Sequence, residues 1–172
     1  DGIHKNEHDE EIQHLRKITG IEKNDLVFIA GSTQEPEESL AVDTFLEQQK
    51  EHPGLKLILV PRHVERTRDI AAWLNVRLQQ PDASHVAWHT RSTLKSDTNQ
   101  LSDKSFILLV DVTGELAAWW GLATVAFVGG SLDGLRGGQN MLEPAAYGAA
   151  VCFGPYTRNF RTEASELLKA EA

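Results

Sequence analysis

Short apolar runs alternate along this chain with longer stretches of helical period. Residues 26–30 (LVFIA), 55–60 (LKLILV), 106–110 (FILLV), 124–128 (TVAFV) and 149–153 (AAVCF) predict five strands. These runs lack the polar alternation of a sheet with one wet face, so they predict strands buried on both sides. Between and after them, 37–50, 63–78, 114–121, 139–148 and 158–170 predict helices; in the first, Leu40, Thr44 or Phe45, and Gln48 fall at helical spacing. Strand–helix units of this size connect by right-handed crossovers. The expected fold is therefore α/β, a doubly wound, mainly parallel sheet with helices on both faces. The polar stretch 90–105 predicts an exposed, mobile loop.

Composition narrows the picture. The chain has 172 residues, enough for one domain, with 41% apolar and 24% charged residues, the mix of a globular protein. Its 17 Lys+Arg against 25 Asp+Glu leave a net charge of −8, which disfavours a general nucleic-acid binder. The start, DGIHKNEHDEE, is polar and acidic, unlike a signal or transit peptide, and its lack of an initiator Met suggests a domain cut from a longer protein. A single cysteine fits a reducing compartment.

In an open parallel sheet, ligands bind beyond the carboxyl ends of the strands. The first such end is Gly31-Ser32-Thr33 running into Gln34-Glu35-Pro36-Glu37-Glu38, read as a tight turn and a capped helix start. The second, Val60-Pro61-Arg62-His63, carries Arg62 and Arg66 four residues apart; two guanidinium groups suit a phosphate or carboxylate, unless Glu65 and Asp69 neutralise them. The third is Asp111-Val112-Thr113-Gly114-Glu115. The fourth, Phe127-Val128-Gly129-Gly130-Ser131 and then Gly137-Gly138-Gln139-Asn140-Met141-Leu142-Glu143-Pro144, joins a strand to a helix through glycines, the context of a phosphate-cradling loop. Asn140 and Glu143 have the spacing of a capping box, which leaves the glycines unaccounted for.

Other candidates weigh less. His4 and His8, and likewise His85 and His89, read as solvated histidines rather than metal ligands. Cys152 reads as a small buried hydrophobe, and Trp119-Trp120 as core plus an interface face. There is no phosphate-loop G-x-x-x-x-G-K-[ST], no nucleophile elbow, and no G-x-G-x-x-G after the first strand.

Taken together, GSTQEPEES, VPRHVER, LVDVTGEL, FVGGSLDGLRGGQNMLEPAAYG and VCFGPYTRNF resemble, in order, the C-terminal domain of the 3-deoxy-D-manno-octulosonic acid (Kdo) transferases. The resemblance implies one Rossmann-like half of a two-domain GT-B glycosyltransferase. It implies transfer of Kdo from CMP-Kdo to a lipid A precursor at the cytoplasmic face of the bacterial inner membrane. It places CMP contacts at Pro61 and Arg62, at Thr113, Gly114 and Glu115, and at Asn140, Met141, Leu142 and Glu143, with Arg62 as charge stabiliser. Further donor contacts are expected at Ser32, Thr33, Arg66, Gly130, Ser131, Gly138 and Gln139. The general base and the lipid site are expected in an N-terminal domain outside this chain, with no cofactor and no metal. Gln34 and Gln139 stand where the family usually has histidine, and Met141 where it has proline; glutamine keeps hydrogen bonding but cannot carry a positive charge. Two alternatives compete: another GT-B sugar-nucleotide enzyme, such as a UDP-sugar transferase or epimerase, and a non-catalytic α/β interaction domain.

Overall fold

A computed structural model describes residues 2–94 and 101–170, with side chains from residue 9 onward. Helix α1 (Gly2–Thr19) precedes β1 (Val27–Thr33), α2 (Glu37–Gln48), β2 (Lys56–Pro61) and, after a 3-10 turn at Val64–Arg66, α3 (Thr67–Arg77). Then come β3 (Ala87–Thr90), a second 3-10 turn at Arg91–Thr93, β4 (Phe106–Leu109), α4 (Leu116–Trp120), β5 (Val125–Val128), α5 (Leu142–Ala146), β6 (Ala150–Phe153) and α6 (Arg161–Lys169). The strands form one six-stranded sheet in the order β3-β4-β2-β1-β5-β6, and every pair is parallel.

The central strands are buried on both faces, as their apolar runs require. Val27, Ile29, Ile58, Val60, Phe106, Leu108 and Val110 join one core with α1, α4 and α6. Ala30, Leu57, Leu59, Ile107 and Leu109, the alternate positions, join a second core with α2 and α3. This period-two division explains why the interiors of these strands are apolar, with Ser32, Thr33 and Lys56 only at strand ends. Among the described residues no helix is long and apolar enough to cross a membrane.

Several local expectations are corrected. Strand β1 runs on to Thr33 through a bulge between Gly31 and Thr33, with Ser32 at φ 54°, so Gly31-Ser32-Thr33 ends the strand rather than turning after it. Gly31 serves close packing: a Cβ there would strike the Trp120 ring. Helix α2 buries Ala41, Val42, Phe45 and Leu46, while Leu40 is half exposed, because the face is set by Phe45 and its neighbours and not by the Leu40–Thr44–Gln48 stripe. A sixth strand, β3, just precedes the polar stretch, in the segment around His89, and pairs in parallel with β4. Residues 95–100 of the expected loop, and the side chains of His4 and His8, lie outside the described residues. Helix α5 starts at Leu142, not at residue 139, because the Asn140 side chain accepts the Leu142 N–H (3.1 Å). Trp119 and Trp120 are both core residues with no interface face.

Strand β6 is an edge. Helix α2 packs on β1 and β2 and leaves β6 open on that side, so Cys152 is exposed rather than buried. Phe28, Leu40, Thr44, Phe127 and Cys152 line an open apolar pocket there of about 250 Å³.

Candidate functional site

Strand order reverses between β1 and β5, which makes the carboxyl ends of these two strands the switch-point crevice of the sheet. Backbone hydrogen bonds knit the neighbouring ends together. Arg62 N–H donates to Thr33 O (2.9 Å), Gly129 N–H to Gly31 O (2.9 Å) and Gly138 N–H to Gly130 O (2.7 Å). The structure thus gathers Ser32, Thr33, Pro61, Arg62, Gly130, Ser131 and Gly138 at one edge.

The glycine-rich segment is occupied from within. Glu37, 3% exposed, accepts the N–H groups of Gln34 (2.8 Å), Gly130 (2.8 Å) and Ser131 (3.1 Å). Its Oε2 would lie 2.6 Å from a Cβ at Gly129, so this glycine exists to admit the carboxylate. The N–H groups of Gly130 and Ser131 therefore face Glu37 in place of an incoming phosphate. Ser131 Oγ, fully buried, donates to Val128 O and accepts from Gly154 N–H (2.8 Å each). Further on, the loop is clasped by the segment after β6: Asn159 N–H donates to Gly137 O (3.0 Å), Asn159 Nδ2 to Arg136 O (2.8 Å) and Arg158 to Leu135 O (2.6 Å). Gly137 lies at φ +83°, and a Cβ there would come within 2.5 Å of Arg158. Protein packing accounts for Gly129 and Gly137, a cause that spacing alone did not reveal.

The two arginines of the second strand end part company. Arg66 makes a fork with Glu38 (2.7 and 3.1 Å) and touches Thr33 O (3.4 Å). The Glu38 hydrogen bond holds its pKa above the ordinary value, against the opposing effect of burial. Glu38, from α2, is the neutralising partner, not Glu65 or Asp69. Arg62 is exposed, and its guanidinium has no hydrogen-bonding or ion-pair partner among the described residues. It is the cation of this edge that remains available to an anion.

At the third end, Glu115 is held by Arg91 in a second fork (2.9 and 2.8 Å) and accepts Trp119 Nε1–H (3.3 Å). Gly114 sits at φ +89° with nothing within 4 Å of a Cβ, so the turn presents an open face beside exposed Thr113. At the start of α5, Asn140 Nδ2 donates to Glu143 Oε1 (3.1 Å), and Asn140, Leu142 and Glu143 all lie toward solvent. Their side chains bond to each other, but the reciprocal backbone bonds of a capping box are not formed. Met141 is fully buried in the core, so its side chain supports the turn. Gln139 is half buried beside Gly130. Helix α4 packs on α5, which brings the third and fourth ends within reach of each other.

Sequence reasoning missed Glu37, Glu38 and Arg91 as organising residues. The first two carried a signal, acids in the first turn of a helix, but their partners are distant in sequence. Among the described residues, no group of three or more His, Cys, Asp or Glu could hold a metal ion.

A six-stranded all-parallel sheet with helices around it is a Rossmann-like α/β domain. The chain is similar to a solved structure described as the C-terminal CMP-Kdo binding domain of WaaA from Acinetobacter baumannii, with a TM-score of 0.79 and 28% identity over 96% of this chain and 79% of that one. It is 32% identical over 90% of its length to a 3-deoxy-D-manno-octulosonic acid transferase of Haemophilus influenzae, and 31% identical over 91% to one of Aquifex aeolicus. A bifunctional glycosyltransferase/methyltransferase of Fusobacterium nucleatum is 35% identical over 90% of this chain. No protein-family model matches the chain. The chain is a homologue of the C-terminal domain of the Kdo transferases, as the strand-end motifs indicated. It spans 34% and 39% of the length of the Haemophilus and Aquifex transferases, and 24% of the bifunctional protein.

Proposed function

We propose that this chain is the donor-binding domain of a Kdo transferase and takes up CMP-Kdo at the carboxyl edge of its sheet. The observation that carries this reading is Arg62, an exposed guanidinium without a partner among the described residues, set beside Thr33 at the sheet's switch point. An arginine so placed offers two parallel N–H donors to a phosphate or to the Kdo carboxylate. Thr113 and Gly114 offer an open backbone turn, and the Asn140–Glu143 pair offers acceptors for ribose hydroxyls. In the transfer, a lipid-borne hydroxyl attacks the anomeric carbon of Kdo with inversion as the bond to CMP breaks. The departing CMP phosphate gains negative charge, and Arg62 meets it there. The step needs no metal, and the general base and the lipid A precursor belong to a separate N-terminal domain. The whole enzyme would then act at the cytoplasmic face of the inner membrane.

Calorimetric titration tests this. CMP should bind the chain in preference to UMP and UDP, and Arg62→Ala should weaken CMP binding by about tenfold while leaving stability within about 0.5 kcal/mol. A preference for UDP would move the chain to another class of sugar-nucleotide enzyme, and no nucleotide binding at all would leave a non-catalytic interaction domain.

A further inference from the structure

We propose that Arg91 is a positioning residue of the nucleotide site, setting both the place and the charge of the third strand end through Glu115. This rests on the reading that the turn Thr113-Gly114-Glu115 faces the nucleotide.

Residues leaving β3 hold residues leaving β4 at two points. Arg91 Nε and Nη2 donate to the two oxygens of Glu115 (2.9 and 2.8 Å), and Ser92 donates through N–H and Oγ to the two oxygens of Asp111 (2.8 and 2.5 Å). Arg91 Nη1 also donates to Leu94 O (3.3 Å), so the guanidinium is tied back to its own turn. The pair is well shielded, with side chains 14% and 27% exposed, where a charge pair is weakly screened. Between the two clamped carboxylates, Gly114 is open: among the described residues nothing lies within 4 Å of a Cβ placed there.

A second carboxylate, Glu10 of α1, lines a cleft with Glu115, together with His14. An anionic nucleotide approaching this turn would meet an unbalanced carboxylate if Arg91 were absent. With Arg91 in place, Glu115 presents a neutral pair, and the donors that remain for the ligand belong to the backbone of the turn. Arg91 thus acts by removing repulsion and by fixing a loop, without touching the ligand itself. A paired charge held at this geometry favours an approaching anion over a bare carboxylate by an amount that depends on the ligand's charge. That charge dependence separates positioning from general stabilisation.

The experiment compares CMP with uncharged cytidine on this chain, by titration, alongside thermal midpoints. Arg91→Gln should weaken CMP binding by about tenfold and cytidine binding much less. The double variant Arg91→Gln with Glu115→Gln, which removes both charges, should recover most of the lost preference for CMP without restoring the ion pair. If Arg91→Gln does not fold, Arg91→Lys takes its place; it keeps the charge without the fork and should retain the preference for CMP over cytidine. The proposal is overturned if Arg91→Gln weakens both ligands equally, if the double variant stays as poor as the single one, or if Arg91→Lys loses the preference. Failure of the unaltered chain to bind CMP would instead sink the functional reading on which the proposal stands.

Discussion

Glu37 is the residue on which the carboxyl edge of the sheet turns. One carboxylate satisfies three backbone donors, one from its own helix start and two from the distant loop after β5, in a site only 3% exposed. A buried N–H without a partner costs about 1–3 kcal/mol, and three of them would be left by truncation. Glu37→Ala should therefore destabilise the chain by about 3 kcal/mol or more and lower the thermal midpoint by about 10 °C, read by calorimetry. Glu37→Gln, which keeps an acceptor, should lose less. A midpoint unchanged by Glu37→Ala would show that the loop does not depend on this carboxylate. The same scale separates Arg62 from Arg66. Both arginines stand at a strand end with the spacing of a ligand pair, but Glu38 captures one of them. The sequence shows the two cations, and only the fold shows which is engaged.

At the scale of elements, the loop between β5 and α5 is built as a strap held at both sides. Its start is pinned by Glu37 and its middle by Arg158 and Asn159 from the segment after β6. Gly137 is the tightest point, with φ +83° and side-chain atoms of Arg158 and Asn159 within 3 Å of a Cβ position. Gly114, at φ +89°, has open space around it. Gly114→Ala should cost only the left-handed backbone term, about 1–2 kcal/mol, whereas Gly137→Ala adds a clash and should cost more. Denaturant titration of the two variants checks the order. The edge strand β6 makes a separate prediction. Cys152 is exposed to the apolar pocket, yet burial of its thiol pushes its pKa above the ordinary value of 9.0. A raised pKa means less thiolate at neutral pH, so alkylation of Cys152 should be slower than that of free cysteine and should accelerate as pH rises beyond 9.0. A reaction as fast as free cysteine at pH 7 would contradict the shielding of this thiol.

For the whole molecule, the central fact is that the fold closes over two cores while the chain matches only about a third of the Haemophilus transferase, 34%. Under the donor-binding role proposed above, this domain would hold the nucleotide sugar and the transfer chemistry would lie outside it. With CMP-Kdo and a lipid A precursor, this chain alone should release no CMP, and measurable turnover would show that it holds its own general base. Much of this architecture is legible in the sequence. Uninterrupted apolar runs have one economical use, strands covered on both faces, and that dictates a parallel α/β sheet whose ligand loops lie at the strand ends. The five strand-end motifs in register also sufficed for the family. What tertiary structure alone decided is the state of each site residue. Glu37 and Gly130 are 93 positions apart, Arg66 and Glu38 are 28, and Arg91 and Glu115 are 24. Periodicity and local spacing reach only a few residues along the chain, so partners brought together by crossovers leave no pattern in it. That is why the sequence could name the charged and glycine-rich positions of this edge, while the fold decided that Glu37 fills the glycine loop, Arg66 and Glu115 are held, and Arg62 is left open to a ligand.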